Sequence, residues 1–400
     1  MNTWDVIVVG AGPVGSYLSR RLAEKGYRVL LLDQKGKTGR RICAGVIGAE
    51  AFQRFPLPRC SILYTVDSIT MVSPSGKRLR HATKEPMAYV VDRVAFDRAL
   101  LEEALDKGVE FANLSRVLSV EMTAMGMEVR CKRLVNGGEV MSFRASLVVL
   151  ATGYTPGLLA SLGLPGYPGA VVGIQTVNLM RDVEEIEVYL GRNVAPDGFA
   201  WLVPVGDGMV RAGLVVERDA RLWLERFVYS SRVMPRVVEN HGPVRATWIP
   251  RGPIPKTYGD GFLVVGEAAG QVKATTYGGV YYGLICADHA LSTIEGAFRL
   301  GNFQEEVLSG YQEAWLHEIG EELELGAKLR EEARRFTDED IDRLFVLLGS
   351  DGLLPRLRAA VRFDWHKDAI CLFVKHRLMS SIPLERRIVE KSIDSGRSEE

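Results

Sequence analysis

The chain has 400 residues, of which 47% are hydrophobic, and its 50 basic and 50 acidic side chains leave a formal net charge of zero. This balance gives little support for a nucleic-acid partner, because binding a polyanion requires a basic surface. The five cysteines are scattered, without a CxxC pair and without the spacing of metal ligands. This pattern argues against a zinc site, an iron–sulfur cluster and a disulfide framework.

The first elements along the chain predict a parallel dinucleotide-binding unit. Residues 4–9, WDVIVV, form a short β-branched run that leads directly into the glycine loop GAGPVG at 10–15. Asp5 interrupts this run and no basic segment precedes it, so we interpret it as a strand rather than a signal peptide and expect a cytoplasmic protein. A helical pattern, SYLSRRLAEKG, and a second buried strand, GYRVLLLD, follow the loop.

The glycine loop and the end of the second strand carry the first functional motif. Gly10 permits the tight turn, Gly12 lets the backbone approach a pyrophosphate, and Gly15 lets the helix pack on the strand. Val14 lies in the same loop, and Asp33 would accept hydrogen bonds from the adenosine ribose. Because a second GxGxxG does not follow, we predict one tightly held dinucleotide, and FAD fits better than NAD.

The middle of the chain predicts a change from parallel to antiparallel pairing. Residues 62–91 carry loose alternation and turn signals typical of antiparallel strands, residues 92–108 predict a helix, and residues 144–153 predict a buried strand. From 171 to 216, strands separated by short turns predict an antiparallel sheet. We interpret this sheet as the substrate domain.

The last part of the chain predicts a return to the first sheet and then mostly helix. We expect a helix over 219–240, a strand that runs into glycines within 262–270 and a long helix over 279–298, followed by charged amphipathic helices after residue 300. Residues 363–384 mix basic and apolar side chains. They predict either a packed amphipathic helix or a peripheral contact with a membrane surface.

The predicted fold class is therefore mixed α/β, with a Rossmann-type FAD-binding domain, an inserted antiparallel substrate domain and a helical C-terminal region. We place the discontinuous FAD-binding domain at 1–60, 90–160 and 260–298, the substrate domain at 61–89 and 161–259, and the helical region at 299–400.

Several further motifs resemble those of the geranylgeranyl reductase family of flavoproteins, within the p-hydroxybenzoate hydroxylase fold group. The resemblance covers about residues 1–300 and rests, besides GAGPVG and Asp33, on RICAG at 41–45, DRVAFD at 92–97, LATG at 150–153, FAWLVP at 199–204 and GEAAGQVKATTYGGVYYG at 266–283. In the last motif, Glu267 replaces the family's aspartate and Tyr277 stands where a glycine is common.

The resemblance implies which residues contact FAD and which line a prenyl tunnel. The FAD-binding residues it adds are Arg41, Cys43, Ala44, Gly45, Arg93, Val117, Gly153, Gly266, Glu267, Gly278, Gly279 and Val280. The expected tunnel residues are Phe199, Trp201, Pro204 and Tyr277, with Val203 in place of the family's second aromatic residue. Cys43 is our first candidate for the proton donor, ahead of Tyr277 or a flavin-bound water.

The resemblance also implies an activity, namely reduction of isolated carbon–carbon double bonds in a geranylgeranyl or other polyprenyl chain by hydride transfer from reduced FAD. The prenyl chain could belong to an isoprenoid lipid, a diphosphate or a quinone. The external reductant could be NAD(P)H docking transiently or a ferredoxin partner.

Two alternatives remain open from the sequence. One is a flavin-dependent monooxygenase or halogenase of the same fold, although ATGYTPGLLASLGL at 151–164 lacks the hydroxylase DGxxSxVR pattern and FAWLVP has one tryptophan of the halogenase WxWxIP motif. The other is a non-catalytic flavin electron carrier, a branch that normally adds a cysteine-bound cluster.

Overall fold

The computed structural model describes residues 3–36, 39, 42–135, 138–350 and 353–375. The strands are β1 Thr3–Val9, β2 Val29–Leu32, β3 Val46–Gly48, β4 Ile62–Val66, β5 Ser68–Val72, β6 Arg78–Ala82, β7 Ala88–Val91, β8 Glu110–Ala112, β9 Ser115–Thr123, β10 Gly126–Arg133, β11 Val140–Leu150, β12 Ala170–Met180, β13 Ile186–Tyr189, β14 Phe199–Gly206, β15 Met209–Val216, β16 Val237–Asn240, β17 Arg245–Pro250, β18 Tyr258–Gly259 and β19 Phe262–Val264. The α-helices are α1 Pro13–Glu24, α2 Ala49–Arg54, α3 Arg93–Asp106, α4 Pro156–Ser161, α5 Ala220–Val228, α6 Val280–Leu300, α7 Glu305–Trp315, α8 Glu321–Ala333, α9 Asp338–Ser350, α10 Leu353–Ala360 and α11 Lys367–Lys375.

The first sheet has a parallel centre, in the order β19, β11, β1, β2 and β8. Val8 of β1 lies opposite Leu31 on one side and Val149 on the other, and all three side chains are buried. Both faces of such a sheet are covered, so its strands consist of continuous apolar runs. The strands β18, β10 and β9 extend the sheet by antiparallel pairing.

Helices α1, α3 and α6 cover one face of the first sheet, and their apolar side chains form a large core with it. A smaller core lies on the other face, under β9, β10 and α4. The helix α3 begins at Asp92, whose carboxylate accepts hydrogen bonds from the backbone N–H groups of Val94 at 2.8 Å and Ala95 at 3.3 Å. This N-cap satisfies backbone donors that the helix itself leaves unpaired.

The second sheet is mainly antiparallel and follows the order β16, β12, β15, β14, β13, β5 and β6, with β17 also paired to β12 and β13 parallel to β5. Successive side chains of its strand β14 point to opposite faces of the sheet. Trp201 and Val203 face a core shared with the third sheet, whose strand order is β3, β7 and β4, whereas Leu202 faces α5. The three sheets of the described residues confirm the predicted mixed α/β class, and the domain boundaries stay predictions.

One predicted element differs from the structure and one, a strand that runs into glycines, is present in it. The helix expected over 219–240 is wrong beyond Val228, where α5 ends, because Pro235 cannot donate to a helical ladder and Val237–Asn240 pair instead with β12 as an edge strand. The strand predicted to run into glycines within 262–270 is β19, which ends at Val264. Gly266 then has a φ of +71°, which turns the chain into a short 3₁₀ helix, Gly266–Ala269.

The helical C-terminal region packs against the rest of the protein. In α11, Ile370 is 5% exposed and packs with Leu325 of α8, so the described part of the 363–384 stretch forms a packed helix. Residues 376–384 lie outside the described residues. Among the helices described here, none combines the length and the apolar character needed to cross a membrane.

Candidate active site

A cavity of about 680 Å³, which we call the flavin cavity, lies where the first sheet meets the second and third sheets. The predicted site residues that line it are Gly10, Gly12, Val14, Asp33, Cys43, Ala44, Gly45, Arg93, Gly153, Phe199, Trp201, Glu267, Tyr277, Gly278, Gly279 and Val280. Segments from distant parts of the sequence thus surround one space.

The remaining predicted site residues have other positions. Gly15 packs against the Gly10 carbonyl, Val117 lies in β9 and packs against the smaller core of the first sheet, Pro204 pairs with β15, and Gly266 packs against Val14. These four lie behind the residues that line the cavity, and their roles toward FAD stay predictions. Arg41 falls outside the described residues.

The first glycine loop forms one end of the flavin cavity. At Gly10, φ is +109° and a Cβ would lie 2.4 Å from the Ala151 carbonyl oxygen, so a side chain cannot be accommodated. At Gly12, by contrast, a Cβ would meet no described atom within 4 Å. The Asp33 carboxylate is fixed beside the loop, because it accepts hydrogen bonds from the N–H groups of Ala11 at 2.8 Å and Lys35 at 2.7 Å.

Val14 joins the two glycine clusters. A Cβ on Gly266 would lie 3.1 Å from Val14, and one on Gly283 would lie 2.5 Å from it, so the small residues of the second cluster let it pack on the first loop. Near this contact, the N–H of Tyr154 donates to Glu267 at 3.4 Å. The two clusters, far apart in the sequence, therefore form one continuous wall.

The Cys43 segment is held by hydrogen bonds from the second sheet. Gln175 donates to the Cys43 carbonyl at 3.1 Å, Arg211 donates to the Ala44 carbonyl at 2.8 Å, and the N–H of Gly45 donates to the Cys43 thiol at 3.3 Å. Both donating side chains come from strands that also shape the apolar wall. The position of Cys43 is thus coupled to the second sheet.

Arg93 lies beside Cys43 at the cavity wall. Its guanidinium interacts with the Cys43 thiol and donates to both oxygens of Asp97, at 3.0 and 3.2 Å. Burial by itself lowers the pKa of Arg93, but the Asp97 carboxylate and Cys43 more than offset it, so the pKa is raised. The structure therefore brings Arg93 to Cys43, and the contact with FAD that the resemblance implies for Arg93 stays a prediction.

The apolar wall of the cavity combines β14 with the second glycine cluster. The rings of Phe199 and Trp201 lie 5.9 Å apart, and Tyr277 packs in the same core cluster. A Cβ on Gly213 of β15 would lie 2.5 Å from the Trp201 ring, so this glycine allows the indole to lie flat across the sheet. This surface suits an apolar ligand.

An ion pair that the sequence analysis missed lies in the same cavity. Lys273 donates to Asp364 at 2.5 Å, and their side chains are only 7% and 3% exposed. The hydroxyl of Tyr282 donates to the Asp364 carbonyl at 2.7 Å and holds this segment in place. Lys273 could have been noticed as a charge within a glycine-rich stretch, but Asp364 belongs to the C-terminal region, where the sequence offered no motif.

The residues present fit a bound FAD. In the described part of the chain, Gln175 Oε1, Trp201 Nε1 and Asp364 Oδ2 are buried without a hydrogen-bond partner, and all three residues line the cavity. Buried polar atoms normally have partners, so these atoms mark positions where polar groups of a ligand can bind. The open face of Gly12, the first turn of α1 and Asp33 supply the features that hold a dinucleotide.

Comparisons with known proteins agree with this geometry. A family model described as FAD dependent oxidoreductase matches residues 48–294, and one described as NAD(P)-binding Rossmann-like domain matches residues 8–52. The digeranylgeranylglycerophospholipid reductase of Methanocaldococcus jannaschii is 30% identical over 369 residues, which cover 88% of this chain and 93% of that protein.

Solved structures show the same fold. A geranylgeranyl bacteriochlorophyll reductase-like protein from Thermoplasma acidophilum superposes with a TM-score of 0.85 at 18% identity, covering 98% of this chain and 99% of the other. A flavin-dependent brominase superposes with a TM-score of 0.68 at 15% identity, covering 99% and 100%. At these identities the structural likeness shows the fold alone.

Proposed function

The chain belongs to the geranylgeranyl reductase family of FAD-dependent oxidoreductases, and from that membership we propose that it reduces isolated carbon–carbon double bonds in a prenyl chain. The prenyl chain would be carried by an isoprenoid lipid, a prenyl diphosphate or a quinone. A relative that matches most of this chain is named for a digeranylgeranylglycerophospholipid, which makes an isoprenoid lipid the first substrate to test.

The observation that carries the proposal is the pairing of two surfaces in one cavity. The glycine loops and Asp33 lie at one end, whereas Phe199, Trp201 and Tyr277 form an apolar wall near Gly278 and Gly279. A prenyl chain has no polar group along its length, so an apolar wall beside the flavin site is the surface that would bind it.

The proposed chemistry divides between the cofactor and the chain. FAD, when bound and reduced, supplies a hydride to one alkene carbon. The second alkene carbon requires a proton, and the Cys43 thiol lines the same cavity with Arg93 beside it. We infer that Cys43 donates this proton and that Trp201 and its apolar neighbours exclude water from the reacting bond.

The activity is tested by mass spectrometry under anaerobic conditions. FAD-loaded protein reduced with dithionite is mixed with geranylgeranyl diphosphate or an unsaturated prenyl ether lipid, and we expect a mass gain of two hydrogens for each bond reduced. A second assay follows the reduced flavin after mixing with oxygen. A stable oxygen adduct of the flavin together with unchanged prenyl substrates would favour a monooxygenase or halogenase instead.

The role of Cys43 is tested by Cys43→Ala and Cys43→Ser. If the thiol donates the proton, we expect the reduction rate with Cys43→Ala to fall by about a hundredfold, and we expect Cys43→Ser to alter the pH profile and the solvent isotope effect. The matched control is Cys60→Ser, because Cys60 is an exposed free cysteine away from the cavity lining. A Cys43→Ala rate equal to that of the control would remove Cys43 from this role.

A further inference from the structure

Tyr277 separates the flavin cavity from a second cavity. This second cavity, which we call the C-terminal cavity, has a volume of about 640 Å³ and is lined by Pro168, Asp197, Glu217, the 251–253 loop, Ala274, Tyr277 and side chains from residues 315–334. Trp315 and Leu323 contribute buried apolar surface to it. Tyr277 lines both cavities, so its side chain forms part of the wall between them.

The backbone of Tyr277 has an unfavourable conformation for a residue with a side chain. Its φ is +58°, in the left-handed region that glycine adopts freely, and its side chain is 8% exposed. The N–H of Tyr277 donates to the Lys273 carbonyl at 2.7 Å, which helps to hold this turn. Strained backbone of this kind concentrates at functional sites.

Arg330 of α8 covers the same wall from the side of the C-terminal cavity. Its guanidinium lies 5.3 Å from the centre of the Tyr277 ring and 5.6 Å from that of Phe199, and it donates to the backbone carbonyls of Ala274, at 3.2 Å, and Thr275. Among the described residues, no carboxylate lies within ion-pair distance of Arg330. Its contacts with the two rings are cation–π contacts, and they come in addition to the hydrogen bonds that hold the guanidinium on the Ala274 and Thr275 carbonyls.

We propose that Tyr277 is a movable partition and that the C-terminal cavity receives the distal isoprene units of a long prenyl chain when Tyr277 and Arg330 move apart. The inference rests on the proposed function and extends it to chain length. The flavin cavity has the size of a typical single-ligand site, yet FAD and a prenyl chain must share it. The C-terminal cavity supplies the additional apolar space. It adjoins the flavin cavity at the Tyr277 side chain, so movement of that side chain would connect the two.

The charge distribution of the C-terminal cavity agrees with an apolar occupant. Glu217 forms ion pairs with Arg251 and Arg334 at its lining, and Arg334 also pairs with Asp197, so two carboxylates balance two guanidinium groups. The interior between them and Tyr277 presents Ala274, Trp315 and Leu323. The remaining carboxylates of the lining are also in ion pairs, and Arg330 donates to two backbone carbonyls, so a hydrocarbon tail here would meet charges that already have partners.

The test measures how the affinity for saturated prenyl alcohols depends on chain length, using oxidised FAD-loaded protein and tryptophan fluorescence. We expect Tyr277→Gly and Tyr277→Ala to bind the longest alcohols about tenfold more tightly than the wild type, with little change for the shortest. The matched control, Tyr277→Phe, keeps the partition and should follow the wild type. Arg330→Met should change the length dependence in the direction of Tyr277→Gly, because it releases the ring without removing it.

A stability measurement separates the backbone strain from the partition. Glycine relieves the left-handed conformation and alanine does not, so Tyr277→Gly should unfold about two to four degrees above Tyr277→Ala. Identical length dependence in the wild type, Tyr277→Gly and Arg330→Met would overturn the inference. If the wild type binds no prenyl alcohol of any length, the proposed function fails together with it, whereas prenyl binding with unchanged length dependence overturns the partition alone.

Discussion

The two ends of the flavin cavity are built in different ways. The dinucleotide end comes from one continuous unit, in which β1, the glycine loop, α1 and β2 place Gly10, Gly12 and Asp33 together within the first 33 residues. The opposite end is assembled from segments that are far apart in the sequence, the last of them in the C-terminal region. They supply Cys43, Gln175, Trp201, Lys273 and Asp364.

The two ends therefore differ in the kind of substitution that damages them. At the dinucleotide end, local backbone conformation determines the geometry, so a single added methyl group can damage it. At the opposite end, polar side chains from distant segments satisfy one another, so removing one leaves its partner buried and unpaired. Three predictions test this contrast, and the first combines a loss of stability with a loss of bound cofactor.

The largest effect is expected for Gly10→Ala. A Cβ there would lie 2.4 Å from the Ala151 carbonyl, and φ is +109°, so we expect a loss of about 3 kcal/mol or more in the free energy of unfolding together with the loss of bound FAD. The matched variant Gly12→Ala meets no described atom within 4 Å and should unfold like the wild type without cofactor, but bind FAD at least about tenfold more weakly. Equal stability of the two variants, measured by urea denaturation, would contradict the prediction.

A comparable effect is expected at the opposite end for Asp364→Ala. Lys273 would remain buried without its carboxylate, which costs about 3–5 kcal/mol, and urea denaturation measures this loss. The double variant Lys273→Met with Asp364→Leu removes both charges and should recover most of it. A double variant as unstable as Asp364→Ala would show that shape rather than charge pairing holds this end together.

A smaller, pH-dependent effect is expected from His366, which lies beneath the same ion pair. The Thr275 hydroxyl donates to Nδ1 at 2.6 Å and Nε2–H donates to the Phe363 carbonyl at 3.1 Å, so the neutral ring is satisfied on both sides. Burial, followed by the positive charge of Lys273, lowers the pKa of His366 from its ordinary 6.5 to about 4.

The sign of this pH effect follows from proton binding. Between pH 6.5 and about 4 the unfolded chain binds a proton at His366 that the folded protein excludes. The stability contributed by His366 is therefore complete above pH 6.5 and falls as the pH decreases toward 4, by up to about 3 kcal/mol. The urea midpoint should fall more between neutral and mildly acidic pH for the wild type than for His366→Gln. Glutamine can keep the hydrogen bonds and does not titrate. The same pH dependence in both proteins would exclude His366 as its source.

The Lys273–Asp364 pair and the Arg93–Cys43 contact show the limit of prediction from sequence. Lys273 stood in a quoted motif, but the residue that neutralises it follows 91 positions later in a region without a recognisable pattern. Arg93 was predicted from the resemblance to contact FAD, which stays a prediction, and the sequence offered no sign that its guanidinium interacts with Asp97 and Cys43. Spacing along the chain does not encode which segments meet after the sheets have packed.

Neighbouring residues specify the strand–loop–helix–strand unit and the position of Asp33 at its end through local hydrogen bonds and apolar periodicity, and the quoted motifs were enough to predict the family of the chain. Three features became visible only in the folded protein. Val14 packs against Gly266 and Gly283, and the edge strand β16 replaces the end of a predicted helix. Tyr277 lies between two cavities. The physical reason is that these contacts are made by segments remote in sequence, and their free energy depends on packing that no local pattern records.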